Sequence, residues 1–246
     1  MLRLTFLAAL AIAALAGCFN VGWSGSTVEG SGVSGSRTVD VSGIDGVRLA
    51  VPGVLVVTPG AAPLRIEGDD NVVEALVVDV DGGVLTLRAP RGESFQTDLD
   101  LRMTVGADRL ESLDIAGSGR IEADGVRSET VAVSIGGSGD VSMMGLEAAS
   151  LEVSVAGSGG VVVGGTAERV SVDIAGSGDV DAGALAAADV EVAVAGSGDV
   201  TVRAAKSLDV SVMGSGDVRY YGSPEVSQSI MGSGDVVRAG DGPGRR

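Results

Sequence analysis

The most regular hydrophobic pattern of the chain surrounds a Gly-Ser-Gly step that recurs seven times within residues 117–234. Successive steps are 20, 20, 19, 20, 18 and 18 residues apart. A period in this range is typical of a repeat architecture in which each repeat is one structural unit. The steps begin at Gly117, Gly137, Gly157, Gly176, Gly196, Gly214 and Gly232.

Apolar residues occupy alternate positions on both sides of each step. In the repeat at Gly196 they are Val190, Val192 and Val194 before the step and Val200 and Val202 after it. The positions between them are mostly Ser, Asp, Glu or Ala. Strict alternation in β-branched residues predicts strands with one buried face. The apolar columns are interrupted by Glu111, Gln228 and Arg238.

The Gly-Ser-Gly step, usually followed by aspartate, predicts a sharp corner between two strands. Glycine reaches positive φ without a Cβ clash. An aspartate side chain can bond its own backbone and hold the turn. Stacked carboxylates repel one another, and solvent, salt or a bound cation would have to relieve that repulsion. The corner aspartates are Asp140, Asp179, Asp199, Asp217 and Asp235.

Each repeat therefore has the length of one coil of a narrow all-β parallel β-helix, with about 18–20 residues per coil. A single coil cannot bury its valines, and stacked neighbours must cover them. We predict such a solenoid over residues 38–240, with the GSGD repeats in 117–240. Residues 38–116 are strand-rich but less regular, and we expect them to form larger first coils and an N-terminal cap. Residues 241–246 are predicted to be a disordered tail.

The first 17 residues predict a signal peptide. A short positive start is followed by an apolar run, too short to cross a bilayer, that ends in Leu15-Ala16-Gly17-Cys18. This ending resembles the lipobox of bacterial lipoproteins, so we predict lipidation of Cys18, the single cysteine of the sequence. Phe19 after that cysteine favours the outer membrane under the usual lipoprotein sorting pattern. Residues 18–37, rich in Gly and Ser, are predicted to be a flexible tether.

Composition excludes several function classes. The sequence has no histidine, which removes Ser-His-Asp and Cys-His nucleophilic sites and His-rich zinc sites. Its formal net charge of -16 argues against nucleic-acid partners, because phosphate binding needs clustered Lys and Arg. We predict no cofactor, no metal site and no catalytic residue.

The chain resembles the head GIN domain family, which is described as an autotransporter adhesin head and occurs in bacterial lipoproteins and envelope proteins. The resemblance covers roughly residues 38–240 and rests on EGDDN at 67–71, GGVLTL at 82–87 and the serial GSG steps. It implies a right-handed parallel β-solenoid. The family carries no catalytic residues that could be transferred to this sequence.

Three functions follow as hypotheses. The first is a non-catalytic, lipid-anchored envelope protein that presents a rigid solenoid for adhesion or scaffolding, with an envelope protein or a polysaccharide as candidate ligand. The second is a β-helix enzyme that processes acidic polysaccharide, which needs paired carboxylates in a groove walled by long loops. The third is a calcium-dependent solenoid. The short uniform coils disfavour the second, and one aspartate per coil disfavours the third, because calcium takes six to eight oxygens.

Overall fold

The computed structural model describes residues 26–242. It is all-β, with 71% strand and 3% helix, and it forms a β-solenoid of about six turns. This confirms the predicted fold class. The predicted signal peptide, Cys18 and residues 243–246 of the predicted tail lie outside the described residues.

The N-terminal region is residues 26–116. Eleven strands and one short helix lie in this region and around the first GSG step, which the last two of these strands flank. They are β1 Ser26–Glu29, β2 Ser34–Val39, β3 Gly46–Ala50, β4 Val54–Pro59, β5 Ala62–Asp69, α1 Asp70–Ala75, β6 Val77–Asp81, β7 Val84–Arg88, β8 Glu93–Gln96, β9 Arg102–Ala107, β10 Ser112–Gly117 and β11 Arg120–Ala123.

The remaining strands form the regular laps, where one lap is one coil of the solenoid. Five of them, those within residues 127–214, are longer, with 11 to 18 residues each, because one strand often runs from one corner through the next turn and on to the following corner. They are β12 Arg127–Gly137, β13 Asp140–Gly157, β14 Gly160–Gly176, β15 Asp179–Gly196, β16 Val200–Gly214, β17 Val218–Tyr221, β18 Glu225–Gly232 and β19 Val236–Gly240.

The predicted apolar columns are internal ladders of parallel strands. Val153, Val172, Val192 and Val210 pair in that order, one lap apart, and each is at most 2% exposed. Parallel strands lie about 4.8 Å apart, so each valine packs on its equivalent above and below. The predicted strand register is therefore confirmed. The core is one continuous cluster that runs through the laps into the N-terminal region.

The N-terminal region is not stacked in chain order. Strand β3 lies between β7 and β10, and β4 lies between β9 and β11. Strands β2, β5 and β6 add antiparallel pairings. Helix α1 buries Val72 and Val73. The sequence pattern predicts irregular coils and a cap here, but neither this strand order nor the helix, because alternation identifies the buried face of a strand and not its neighbours.

Part of the segment predicted to be a tether is folded. Strand β1 pairs in parallel with β8, and β2 pairs antiparallel with β5. Residues 26–37 therefore differ from the prediction of a flexible linker over 18–37. Composition favours a linker there because Gly and Ser dominate, but the strands are held by backbone pairing, which needs no apolar side chain.

Candidate functional site

The only predicted functional residue, Cys18, lies outside the described residues, so its lipidation stays a prediction. No helix in residues 26–242 is long and apolar enough to cross a membrane. The other candidate features are the GSGD corners and the outward faces of the laps.

The first glycine of each step needs its conformational freedom. Its φ ranges from +122° at Gly117 to +141° at Gly196, Gly214 and Gly232, a region that L residues rarely adopt. In the laps it also lies against the equivalent glycine of the preceding lap. A Cβ on Gly196 would come within 2.0 Å of the Gly176 carbonyl oxygen. The predicted role of this glycine at the corner is therefore confirmed.

The second glycine of each step has a different role from the predicted one. It does not adopt positive φ, but it is buried at the inside of the corner. A Cβ on Gly198 would come within 2.0 Å of the Gly178 carbonyl oxygen, and the same close approach recurs at Gly216 and Gly234. Glycine is required here because consecutive laps are in backbone contact. The 18–20 residue period was the only signal in the sequence for that contact.

The corner aspartates bond to the next lap rather than to their own turn. The Asp199 N–H donates to Asp179 Oδ1 at 2.9 Å, and the Asp217 N–H donates to Asp199 Oδ1 at 2.9 Å. The Asp235 N–H donates to Asp217 Oδ1 at 3.0 Å. The prediction that each carboxylate bonds its own backbone is therefore wrong. At a lap spacing of about 4.8 Å, the equivalent N–H of the next lap is within reach of a short side chain.

The aspartate column is not continuous, because Gly160 replaces the aspartate in one lap. There the Asp179 N–H donates to the Gly159 carbonyl instead, at 3.2 Å. At the N-terminal end of the column, Asp140 accepts a hydrogen bond from Arg120 at 2.8 Å. The carboxylates of Asp140, Asp179, Asp199 and Asp217 thus each have a structural partner. Within the described residues, no group of three or more Asp, Glu, Cys or His side chains could hold a metal ion.

One buried carboxylate lies in the N-terminal region, at Asp69, which is 0% exposed. Its Oδ1 accepts the Gly32 N–H at 2.8 Å, and its Oδ2 accepts the Asp98 and Leu99 N–H groups at 3.0 Å. These donors, Leu99 foremost, hold the pKa of the Asp69 carboxyl below its ordinary value, although burial acts in the opposite direction. Asp69 therefore joins three separate segments of the chain.

Asp69 belongs to the EGDDN segment, and its neighbour Asn71 completes the same junction. The Asn71 side chain accepts the Ser31 N–H at 3.0 Å and donates to the Glu29 carbonyl at 2.7 Å. The motif on which the family resemblance rests thus has a structural role, which is to hold the residues between β1 and β2.

The outward face of the strands before the corner is open and acidic. Glu152, Asp173, Glu191 and Asp209 are exposed there among serines and alanines. A shallow groove of about 460 Å³ runs across this face and includes Arg169. Like charges spread over an open surface suit contact with a large partner better than enclosure of a small molecule.

A second cleft, of about 350 Å³, lies where the regular laps meet the N-terminal region. Its walls include Pro59, Leu110 and Val126, and its charged residues include Arg109 and Arg127. Arg127 pairs with Glu147 at 3.1 Å, and Arg109 pairs with Glu111. Both guanidinium groups therefore already have carboxylate partners, and the cleft is mainly apolar between them.

Comparison with known proteins identifies the family. Residues 45–224 match the family described as "Putative auto-transporter adhesin, head GIN domain". The chain belongs to the head GIN domain family. No protein of curated function matches it.

Solved structures share the head GIN fold of this chain. A "putative adhesin" from Bacteroides fragilis is 26% identical with a TM-score of 0.79, covering 86% of this chain and 99% of that one. A "Putative lipid binding protein" from Parabacteroides distasonis is 26% identical with a TM-score of 0.68, covering 87% and 100%. A "putative adhesin" from Parabacteroides merdae, 21% identical with a TM-score of 0.62 over 87% and 99%, shows likeness of fold alone.

Proposed function

We propose that this head GIN protein is a non-catalytic lipoprotein of the cell envelope, anchored through Cys18 in the outer membrane, that presents a rigid β-solenoid for adhesion. The observation that carries the proposal is the LAGC ending of the leader, with the single cysteine of the sequence at the position the lipobox requires. Membership of an adhesin family supports the adhesive role.

The position of the N-terminus in the fold is compatible with such an anchor. Strand β1 begins at Ser26 and pairs with β8, in the N-terminal region of the solenoid. Seven residues, 19–25, separate it from Cys18. A lipid there would hold the N-terminal region near the membrane and direct the laps away from it. The column from β7 to β18 is roughly 40 Å long at a strand spacing of about 4.8 Å.

The arrangement of ionisable groups supports a non-catalytic role. Catalysis by acid and base needs unlike groups that converge on one point with different pKa values. The corner aspartates are alike and recur at the same corner of the laps, and the carboxylates of Asp140, Asp179, Asp199 and Asp217 accept a backbone N–H of the next lap. Asp69, whose pKa is lowered, is buried and bonded to three backbone donors, so it has a structural task instead.

The test is the substitution Cys18→Ser in the full chain, expressed in a Gram-negative host supplied with labelled palmitate. The wild-type chain should carry the label and fractionate with the outer membrane, and the variant should do neither. Ser24→Cys in the Cys18→Ser background is the control, because it restores a thiol outside the lipobox and should not restore labelling. Equal membrane association of wild type and Cys18→Ser would contradict the anchor.

The adhesive role is tested separately with intact cells. Cells expressing the wild-type chain should attach to a matching bacterial lawn or to envelope polysaccharide more than cells expressing Cys18→Ser. Equal attachment, with the wild type labelled and membrane-bound, would contradict adhesion while leaving the anchor intact.

A further inference from the structure

The two ends of the solenoid differ. At the N-terminal end, β2, β5 and β6 pair antiparallel onto the column and α1 buries its apolar side chains. At the C-terminal end, within residues 26–242, β18 pairs only with β16 and β19 pairs only with β17. Both strands therefore present a row of backbone N–H and C=O groups on their outer edge.

The side chains of the last lap are exposed where those of the preceding lap are buried. Leu208 is 1% exposed, but its equivalent Val226 is 37% exposed. Ile230 is half-buried, whereas its equivalent Val212 is 0% exposed. Solenoids need a terminal repeat with a polar outer face to stay soluble alone. The last lap shows no such cap in the described residues.

The outer edge of β18 also lacks the usual protection against pairing. Edge strands are normally blunted by lysine, proline or other charges. Pro224 and Glu225 stand at the start of β18, but residues 226–232, VSQSIMG, contain no charged residue and no proline. Together, β18 and β19 carry one acidic residue, Glu225, and one basic residue, Arg238, so their formal charge is zero. The chain as a whole carries -16.

The side chain of Gln228 suits pairing of this edge with the same edge of a second copy of the chain. It occupies the column of Val192 and Val210 but is exposed at the open end. Its amide both donates and accepts hydrogen bonds, so two copies of it can bond to each other across a twofold axis. In an antiparallel pair centred on Gln228, Val226 lies opposite Ile230 of the second copy, and Ser227 lies opposite its Ser229. Inward residues then face inward residues, as side-chain alternation requires.

We propose that two copies of this chain associate end to end through the open C-terminal lap, with β18 of each copy pairing antiparallel to β18 of the other about a twofold axis at Gln228. The contact uses the same end of both copies, and the opposite end is covered. An isologous contact of this kind closes at a dimer and does not continue into a filament. If each copy is anchored at its N-terminal end, as proposed above, such a dimer joins two membrane surfaces through the C-terminal laps, or tips, of the two solenoids.

Crosslinking tests the axis directly. Both crosslinking variants are made in the full chain with Cys18→Ser, so that each has a single thiol. Gln228→Cys then places two thiols opposite each other, and antiparallel neighbours have Cβ atoms about 4.5–5.5 Å apart, within reach of a disulfide after small adjustment. We expect a reductant-sensitive dimer on a non-reducing gel. Ser154→Cys, in the middle of the laps, is the matched control and should stay monomeric. Absence of the dimer, or a ladder of larger species, would overturn the proposal.

Mass measurement tests the same contact without a new bond. The full wild-type chain in detergent should have twice the protomer mass by light scattering after correction for the micelle. Gln228→Lys places like charges at the axis and should reduce it to one protomer mass. Ser211→Lys, outward on the preceding lap, should remain dimeric. A monomeric wild type would overturn the proposal, including the case in which residues 243–246 cover the edge. A dimer that persists in Gln228→Lys would overturn it as well.

These outcomes are independent of the proposed anchor. Labelling of Cys18 reports on lipidation whether or not the tips pair. Tip pairing is measured after extraction, whether or not the chain was anchored.

Discussion

The GSG laps and the N-terminal region enclose one continuous core by different means. In the laps, residues 117–240, each strand pairs with the equivalent strand of the next lap, and the same contact recurs at every corner. In residues 26–116, strands pair out of chain order, in both directions, with a helix inserted between β5 and β6.

Side chains have different roles in the repeated laps and in the non-repeating N-terminal region. In the laps each residue packs on its equivalent in the next lap, and this contact is repeated along the solenoid. Backbone packing and small side chains are therefore sufficient to hold the laps together. In the N-terminal region a single residue joins unlike segments, as Asp69 does for Gly32, Asp98 and Leu99. Damage to a lap should therefore affect stacking locally, whereas damage to Asp69 should release the N-terminal region as a unit.

The largest effect is expected from a charge in an internal ladder. Val192→Asp places a carboxylate between Val172 and Val210 with no partner. An unpaired buried charge costs about 3–5 kcal/mol, and the free energy of unfolding should fall by that amount in a denaturant titration. Ser211→Asp is the control, because Ser211 faces outward between the uncharged Ala193 and Ser229. Equal losses in the two variants would refute the register.

A slightly smaller loss is expected from a side chain at the first corner glycine. Gly196→Val must hold φ at +141° and bring Cβ to 2.0 Å from the Gly176 carbonyl oxygen. Backbone strain and overpacking together should lower the free energy of unfolding by about 3 kcal/mol. Ala195→Val adds the same side chain to the exposed neighbouring position and should be nearly silent in the same titration. If Gly196→Val unfolds like the wild type, the corner is not close-packed.

Asp69→Asn should affect the N-terminal region alone. The asparagine side chain has one oxygen to accept the three N–H groups that bond to the Asp69 carboxylate, and its NH₂ group faces at least one of these donors. In hydrogen exchange, residues 29–33 and 97–99 should lose protection while the laps keep theirs. Asp70→Asn is the control, because Asp70 bonds only at the surface, to the Ser31 hydroxyl and the Asn71 N–H. Uniform loss of protection along the whole chain would contradict two distinct regions.

The same residue gives an acid sensitivity. Its pKa is lowered in the folded chain, so its stabilising effect is present above the unfolded pKa of about 3.9 and is lost as the pH falls through the lower folded value. Below about pH 4, the N-terminal region should open before the laps. The difference between wild type and Asp69→Asn should shrink over that range, and a difference that stays constant from pH 6 to pH 2 would contradict this account.

The smallest effect is expected at a corner carboxylate. Asp199→Asn keeps an oxygen to accept the Asp217 N–H and removes one negative charge from a column. Its free energy of unfolding should lie within about 0.5 kcal/mol of the wild type. Asp199→Ala removes the acceptor and should cost about 1 kcal/mol. Calcium-dependent melting of the wild type that Asp199→Asn abolishes would instead indicate a cation at the corner.

The sequence by itself determined the all-β class, the lap length, the buried columns and the position of the corners. These follow from local alternation and a fixed period, which identify the buried face of each strand wherever its neighbour comes from. The EGDDN segment, together with GGVLTL and the serial GSG steps, indicated the family, but the sequence did not show the role of EGDDN in the fold. That role depends on segments about 30 to 40 residues away that no local pattern connects.

Only the tertiary structure decided the strand order of residues 26–116 and the fact that residues 26–37 are part of the fold. It also decided which lap the aspartate hydrogen bonds reach and that the last lap has an unpaired outer edge. Each depends on which backbone lies beside which. The corner aspartate illustrates the limit, because its side chain can reach its own turn or the next lap, and only the lap spacing selects the second. The second corner glycine has ordinary φ, so its requirement for glycine comes entirely from the carbonyl of the preceding lap.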